Sequence, residues 1–166
     1  MARPLKIPLF LQPATGPYCG PTCIKMLLAF YGKKVSLKYL VKNLPMTKTG
    51  IDMFSMGNFL NCYGLVTVFE VRGYASKKCK KFLKDGGILI SRAVRISDIR
   101  KALARNGVVI LNVKNDEGLG HYVIVKNIGR KKMTINDPAD GTITQSIKRV
   151  MKACHDLTGG AMIISK

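Results

Sequence analysis

Acidic residues are scarce in this chain of 166 residues: 9 Asp and Glu stand against 28 Lys and Arg, which gives a formal net charge of +19. Tryptophan is absent and there are only 2 histidines, which limits the catalytic constellations that the chain can build. Apolar residues are not scarce, because 47% of the chain is hydrophobic, and such a chain is expected to fold rather than to be disordered. The charge predicts an anionic partner such as nucleic acid, acidic lipid or acidic peptide, without selecting among them.

Long hydrophobic runs and paired cysteine motifs are missing as well. No segment approaches the roughly 20 apolar residues of a membrane span, and Pro8 interrupts an N-terminal apolar stretch that lacks a signal-peptide cleavage site. The number of cysteines is odd and no CxxC pair occurs, which argues against a disulfide framework or a structural zinc site. We therefore expect a cytoplasmic protein with reduced thiols and with no metal or cofactor. The cysteines are Cys19, Cys23, Cys62, Cys79 and Cys154.

No repeat, linker or low-complexity tract divides the sequence, which predicts a single domain over residues 1–166. The first part has helical periodicity. One helix contains Pro21 in its first turn and stops at Gly32, a second begins at the N-cap Ser36, and a third follows Gly50 and ends by Gly64. The expected buried positions are Cys23, Met26, Leu27 and Phe30 in the first helix, and Leu37, Leu40, Val41 and Leu44 in the second.

The second part of the chain has the alternation of strands. Strands are predicted at 65–71, 88–90, 108–113, 121–127, 132–137 and 161–165. A short lysine-rich helix is predicted between the first two strands, a helix capped by Ser97 after the second, and a helix near 145–155. Helices followed by a mainly antiparallel sheet predict an α+β domain.

Cys19 is the first candidate for chemistry, because it stands at the start of the first helix, directly before Gly20 and Pro21. Unpaired backbone N–H groups and the positive end of the helix dipole favour a thiolate at this place, and the thiolate is the reactive form. The alternative is that Cys19 is a small buried hydrophobe, as most cysteines are. Cys23, one turn further on, is assigned to the core.

His121 and Asp137 are the next candidates, because they lie on two strands that flank a predicted tight hairpin at Gly129 and Arg130. A hairpin that is symmetric about Gly129 opposes His121 to Asp137, close enough for the carboxylate to hold the imidazole. A slip of one residue would place them on opposite faces. The other pairs of this register are Val125 with Met133 and Val123 with Ile135.

Cys19, His121 and Asp137 thus form a candidate triad, in which the histidine takes the thiol proton and the aspartate orients the histidine. Nothing in the pattern itself brings Cys19 beside His121.

Four motifs in this order resemble the C39 peptidase family: Gln12, the Cys19-Gly20-Pro21 turn, Gly120-His121-Tyr122 and Asp137-Pro138. The resemblance spans essentially the whole chain. It implies a papain-like fold with Cys19 as nucleophile, His121 as general base, Asp137 as orienting acid and Gln12 in an oxyanion hole with the cysteine N–H. The best-known members of that family remove double-glycine leader peptides. Gln12 lies seven residues before Cys19, one more than expected for those leader peptidases, and the membrane and nucleotide-binding domains of transporter-linked members have no counterpart here.

Three functions follow as alternatives. The first is a cysteine peptidase that cuts a peptide or protein after small or glycine residues through a thioester on Cys19, with transferase or isopeptidase outcomes left open. The second is a domain that binds peptides without cleaving them. The third is a basic protein that binds polyanions such as nucleic acid, which requires affinity that falls steeply with salt. His155 is interpreted as a solvated helix end rather than a metal ligand, and Gly159-Gly160 as a turn. The oligomeric state is not fixed by the sequence.

Overall fold

The computed structural model describes residues 4–70, 77–90, 92–157 and 160–166. The helices are α1 (Cys19–Phe30), α2 (Leu37–Asn43), α3 (Met53–Asn61), α4 (Lys77–Lys84), α5 (Ile96–Ala104) and α6 (Ile147–His155). The strands are β1 (Val66–Glu70), β2 (Ile88–Ile90), β3 (Val108–Lys114), β4 (Gly120–Ile128), β5 (Lys132–Asp137), β6 (Gly141–Ser146) and β7 (Ala161–Ser165).

Within the described ranges, the strands form one sheet in the order β2-β1-β7-β3-β4-β5-β6. β1 and β2 are parallel, and every other neighbouring pair in this part of the chain is antiparallel. Helix α1 packs on β4, α3 on β1, and α5 and α6 on β3. The predicted α+β class with a mainly antiparallel sheet is therefore confirmed.

Local side-chain chemistry explains where several helices begin. The Ser36 hydroxyl accepts the backbone N–H of Tyr39 at 3.1 Å, which confirms the predicted cap of α2. The predicted cap of α5 at Ser97 is wrong, because that helix starts one residue earlier, at Ile96. The carboxylate of Asp98 accepts the backbone N–H of Arg95 at 3.2 Å, so the first turn closes back onto Arg95 instead.

The predicted buried stripe is complete in the first turns of α1 and only partial in α2. Cys23, Met26 and Leu27 are fully buried, whereas Phe30 is only partly buried against the core. Gly32 has a φ of +78° and ends α1 as predicted. The predicted stripe of α2 is wrong at its flanks: Leu40 and Leu44 are buried, whereas Leu37 and Val41 are half-exposed, because a helix of seven residues turns only one narrow face to the core.

One strand escaped the sequence prediction. β6 carries only one apolar residue, Ile143, among polar ones, because it is the last of the described strands in the sheet and none of them pairs with its outer edge. The helix expected near residue 145 begins at Ile147 for the same reason, since β6 continues to Ser146. Val71 and Gly159, which end a predicted strand and begin a predicted turn, lie outside the described residues.

The predicted register of the β4–β5 hairpin is wrong. Ile128 pairs with Met133, and the N–H of Gly129 donates to the carbonyl of Lys132 at 2.8 Å, so the turn is centred between Arg130 and Lys131 and not on Gly129. A β-bulge at Lys126 then shifts the ladder by one residue. Beyond the bulge, Val125 pairs with Ile135 rather than with Met133.

The described residues include no helix that is long and apolar enough to cross a membrane.

Candidate active site

Cys19 is the first residue of α1 and is partly exposed, as the position of the sequence motif predicts. Among the described residues, no side chain caps the first turn of α1, so no capping side chain competes with a negative charge for the N–H groups of Cys19 and Gly20. The backbone N–H groups of Gly20 and Tyr122 both hydrogen-bond the Cys19 thiol. The helix start is thus arranged around the sulfur rather than around a capping side chain.

His121 and Asp137 lie on the same face at the end of the β4–β5 hairpin, and His121 Nε2 is 2.8 Å from Asp137 Oδ1. They are diagonal rather than opposed, because the register beyond the bulge places Asp137 across from Val123, two residues from His121. Without the bulge at Lys126, the pairing near the turn would continue and would put the two side chains on opposite faces. The bulge therefore restores the shared face that the displaced turn would otherwise remove.

Asp137 is held by its own local turn. Its Oδ1 accepts the backbone N–H of Ala139 at 2.8 Å and that of Asp140 at 3.4 Å. Burial alone would raise the pKa of Asp137, but the hydrogen bond from His121 and these two N–H groups lower it overall. Asp137 is therefore a fixed carboxylate, only 6% exposed, aimed at the imidazole.

Cys19 and His121 are hydrogen-bonded to each other, and each stabilises the charged form of the other. Burial opposes ionisation of Cys19, yet the His121 hydrogen bond and the backbone N–H groups bring its pKa below the ordinary thiol value. Burial also disfavours the imidazolium, but Asp137 and Cys19 together raise the pKa of His121 to about 10. Since Nε2 faces Asp137, the nitrogen left for the sulfur is Nδ1. The two shifts together favour the thiolate–imidazolium pair over the neutral pair.

Gln12 reaches the same region along the N-terminal segment. The N–H of Leu5 donates to the carbonyl of the bulged Lys126 at 3.1 Å, and the N–H of Gln12 donates to the carbonyl of Pro138 at 2.8 Å. The Gln12 side chain lines a cavity with His121 and Asp137. Its Oε1 atom is buried and has no hydrogen-bond partner among the described residues.

That cavity has a volume of about 500 Å³ and is lined by residues of β3, β4, β5, β6 and α6, together with Gln12. It gathers 4 of the chain's 9 acidic residues but only 2 of its 28 basic ones, so its charge is opposite to that of the whole molecule. The acidic residues are Asp116, Glu117, Asp137 and Asp140, and the basic ones are Lys114 and Arg149.

Sequence reasoning missed Tyr122, whose backbone N–H contacts the Cys19 thiol. The alternation of a strand could have indicated it, because the neighbour of His121 must face the other side of the sheet, where α1 packs. His155 ends α6 and its Nε2–H donates to the carbonyl of Val94 at 3.1 Å. The described residues contain no group of three or more His, Cys, Asp or Glu side chains that could hold a metal ion.

The model of the Peptidase_C39 like family matches residues 4–159. No curated protein sequence gives a significant match.

Among solved structures, a putative C39-like peptidase from Bacillus anthracis is 13% identical, with a TM-score of 0.69 over 97% of this chain and 95% of that one. The peptidase domain of Streptococcus ComA, a bifunctional ABC transporter, is 19% identical, with a TM-score of 0.66 over 96% and 98%. A double glycine motif protease from an AMS/PCAT transporter, in complex with the leader peptide, is 21% identical, with a TM-score of 0.63 over 97% and 92%. These likenesses confirm the predicted papain-like fold.

Proposed function

The chain belongs to the Peptidase_C39 like family, and we propose that it is a cysteine peptidase that cleaves peptide bonds through a thioester on Cys19. In this proposal His121 is the general acid and base, and Asp137 orients it. The observation that carries the proposal is the hydrogen-bonded series from the Cys19 thiol through the His121 ring to the Asp137 carboxylate. A nucleophile, a base within reach of it and a third group that orients the base are the parts that such catalysis needs.

The proposed reaction has two steps. In the first, the Cys19 thiolate attacks the carbonyl carbon of the peptide bond, and the His121 imidazolium gives its proton to the departing amine. This leaves an acyl thioester on Cys19 and a neutral imidazole. In the second, His121 takes a proton from water, the resulting hydroxide attacks the thioester, and the thiolate leaves with release of a carboxylic acid. An amine in place of water would give transfer rather than hydrolysis.

We assign Gln12 and the backbone N–H of Cys19 to the oxyanion hole. Donors are needed where negative charge develops on the tetrahedral intermediate. The position of Gln12 in the cavity of His121 and Asp137, and the bond from its N–H to Pro138, support this assignment. A fixed backbone at Gln12 would hold its amide in place without reorganisation during the reaction.

The proposed substrate is a peptide that is cut after small or glycine residues. The support is that one structural relative is a double glycine motif protease bound to a leader peptide, together with the open cavity beside His121. We place the activity in the cytoplasm, where a thiol nucleophile stays reduced.

A domain that binds peptides without cleaving them is the second candidate, because Gln12 Oε1 lacks a partner and the oxyanion hole is the least defined part of the site. Polyanion binding at this cavity gains no support, since four carboxylates line it against two basic side chains.

The test is hydrolysis of a peptide library by wild type and by Cys19→Ala, with Cys62→Ala as the matched control, because Cys62 is an exposed thiol on the far end of α3. Loss of cleavage in Cys19→Ala alone is expected, and equal cleavage by the two variants would overturn the proposal. Alkylation of Cys19 against pH, read by mass spectrometry, separates the second candidate: an activated thiol reacts well below the ordinary pKa of about 8.5.

A further inference from the structure

We propose that Tyr122 is a positioning residue that sets the separation of Cys19 from His121 through three hydrogen bonds. The proposal rests on the function proposed above and extends it to a residue outside the triad. Tyr122 follows His121 directly in β4, so a contact that fixes α1 on Tyr122 also fixes it relative to the imidazole.

The backbone of Tyr122 binds α1 at two successive turns. Its N–H bonds the Cys19 thiol, and its carbonyl accepts the thiol of Cys23 at 3.3 Å. Cys23 is fully buried and lies four residues after Cys19, on the same face of the helix. One residue of β4 therefore holds both ends of the first turn of α1.

The strand pairing explains why these backbone groups are available. Asn112 is the partner of Tyr122 on β3, but its N–H donates to the carbonyl of Gly160 at 3.0 Å. The polar groups of Tyr122 therefore face away from β3, as they do at alternate pairs of an antiparallel ladder. The ladder on the other side, with β5, is formed only as far as Ile124 and Asn136. Beyond this pair, helix α1 lies beside β4 in place of β5.

Tyr122 is also held through its side chain, which bonds the loop before α3. Its phenol donates to the carbonyl of Ile51 at 3.1 Å, and the residue is 8% exposed. Gly20 packs against this pair so closely that an added Cβ would lie 2.5 Å from Cγ2 of Ile51 and 3.4 Å from Cδ2 of Tyr122. The ring is thus clamped between the loop before α3 and the residue after the nucleophile.

Loss of either anchor should loosen the hydrogen bond between Cys19 and His121 while leaving both groups in the molecule. A displacement of a fraction of an ångström in a reacting pair lowers the turnover step more than it lowers binding. It also weakens the stabilisation of the thiolate, so the pKa of Cys19 should rise. A residue that only supports the fold would change neither quantity in the folded protein.

The first test compares Tyr122→Phe with Tyr31→Phe. Tyr31 is the matched control, because its phenol also donates to a backbone carbonyl, that of Ile164 at 3.0 Å, on another strand of the sheet. We expect Tyr122→Phe to lower kcat about tenfold with little change in KM, and to shift the alkylation profile of Cys19 to higher pH. Tyr31→Phe should lower the unfolding temperature to a similar extent and leave both readouts unchanged.

The second test uses Cys23→Ala, which removes the donor to the carbonyl of Tyr122, and Cys23→Ser, which restores one. Cys154→Ala is the control, since Cys154 is equally buried and its thiol donates to the carbonyl of Gly160 at 3.5 Å. Cys23→Ala should shift the alkylation profile in the same direction as Tyr122→Phe, Cys23→Ser should shift it less, and Cys154→Ala not at all.

Alkylation needs no substrate, so this readout stands even if no peptide is cleaved and the proposed function fails. Folded Tyr122→Phe and Cys23→Ala proteins with the wild-type alkylation profile would overturn the positioning role. If Tyr122→Phe does not fold, the comparison of Cys23→Ala with Cys154→Ala decides the matter alone.

Discussion

At the scale of single residues, the site depends on how three side chains share two protons. Asp137 has its pKa lowered, His121 has its pKa raised to about 10, and Cys19 has its pKa lowered. The shifts oppose what burial alone would do to each group, so hydrogen bonds and charge pairing outweigh desolvation here. A thiolate and an imidazolium can then coexist between the lowered pKa of Cys19 and the raised pKa of His121.

The first prediction concerns the pH profile of kcat/KM. Activity should fall at low pH, where the Cys19 thiolate is protonated below its lowered pKa, and at high pH, where His121 loses its proton near pH 10. In Asp137→Asn the charge that supports the imidazolium is gone. The basic limb should therefore move to lower pH and the rate should fall about 100-fold.

The control for this prediction is Asp156→Asn, an acidic residue at the end of α6 whose ion pair with Lys152 is exposed. It should keep the wild-type profile. A basic limb that stays in place in Asp137→Asn would show that Asp137 does not set the protonation of His121. The measured values belong to the coupled pair rather than to either residue alone.

At the scale of elements, two close approaches bring the three residues of the proposed triad together. The bulge in β4 restores the face shared by His121 and Asp137. The contact of α1 with Tyr122 and Ile51 then brings Cys19 to that face, and it requires a residue without a side chain at position 20. The bulge depends on pairing between strands, and the contact of α1 depends on tertiary packing.

The second prediction compares Gly20, in the first turn of α1, with Gly32, which follows the end of that helix. Gly20→Ala should push the first turn away from Ile51 and Tyr122, which should cost about 1–3 kcal/mol of stability through overpacking and lower activity at least tenfold. Gly32→Ala should cost about 1 kcal/mol through its left-handed φ of +78°, but no described atom lies within 4 Å of the added Cβ, so activity should be unchanged.

Thermal unfolding and kcat/KM of both proteins check this prediction. Equal activity in the two variants at matched stability would mean that the approach of α1 to β4 is not critical for the reaction.

At the scale of the whole molecule, the net charge of +19 and the charge of the cavity disagree in sign. The basic residues are spread over nearly every element and are not confined to one face; clusters occur at 77–84, 92–105 and 130–132, among other places. Such a distribution gives a general field around the molecule rather than a defined groove.

The third prediction is that any binding of DNA or RNA is electrostatic and independent of the site. Affinity for a labelled single strand, measured by fluorescence anisotropy, should fall steeply between low and physiological salt because bound counterions are released. Cys19→Ala should bind as wild type does. Affinity that persists at physiological salt would instead favour a specific polyanion function.

The sequence alone determined the elements that carry the site, because capping residues, glycines and apolar periodicity act over a few neighbouring residues. Ser36 begins α2 and Gly32 ends α1 as predicted, and β5 and β7 have the predicted limits. The ordered motifs around Cys19, His121 and Asp137 likewise led to the family that the comparison shows. β6 was not predicted, because an edge strand needs little apolar alternation in its sequence.

Only the tertiary structure decided how those residues meet. The sequence predicted the facing of His121 and Asp137 through a turn symmetric about Gly129, but the turn is centred between Arg130 and Lys131, and a bulge at Lys126 restores the shared face. The position of a turn and the presence of a bulge depend on contacts from elsewhere, such as Leu5 at the Lys126 carbonyl. The approach of Cys19 to His121 likewise depends on packing across about a hundred residues of chain, through Tyr122, Cys23 and Ile51. Local propensity carries no information about such contacts, because they exist only once α1 is seated on β4.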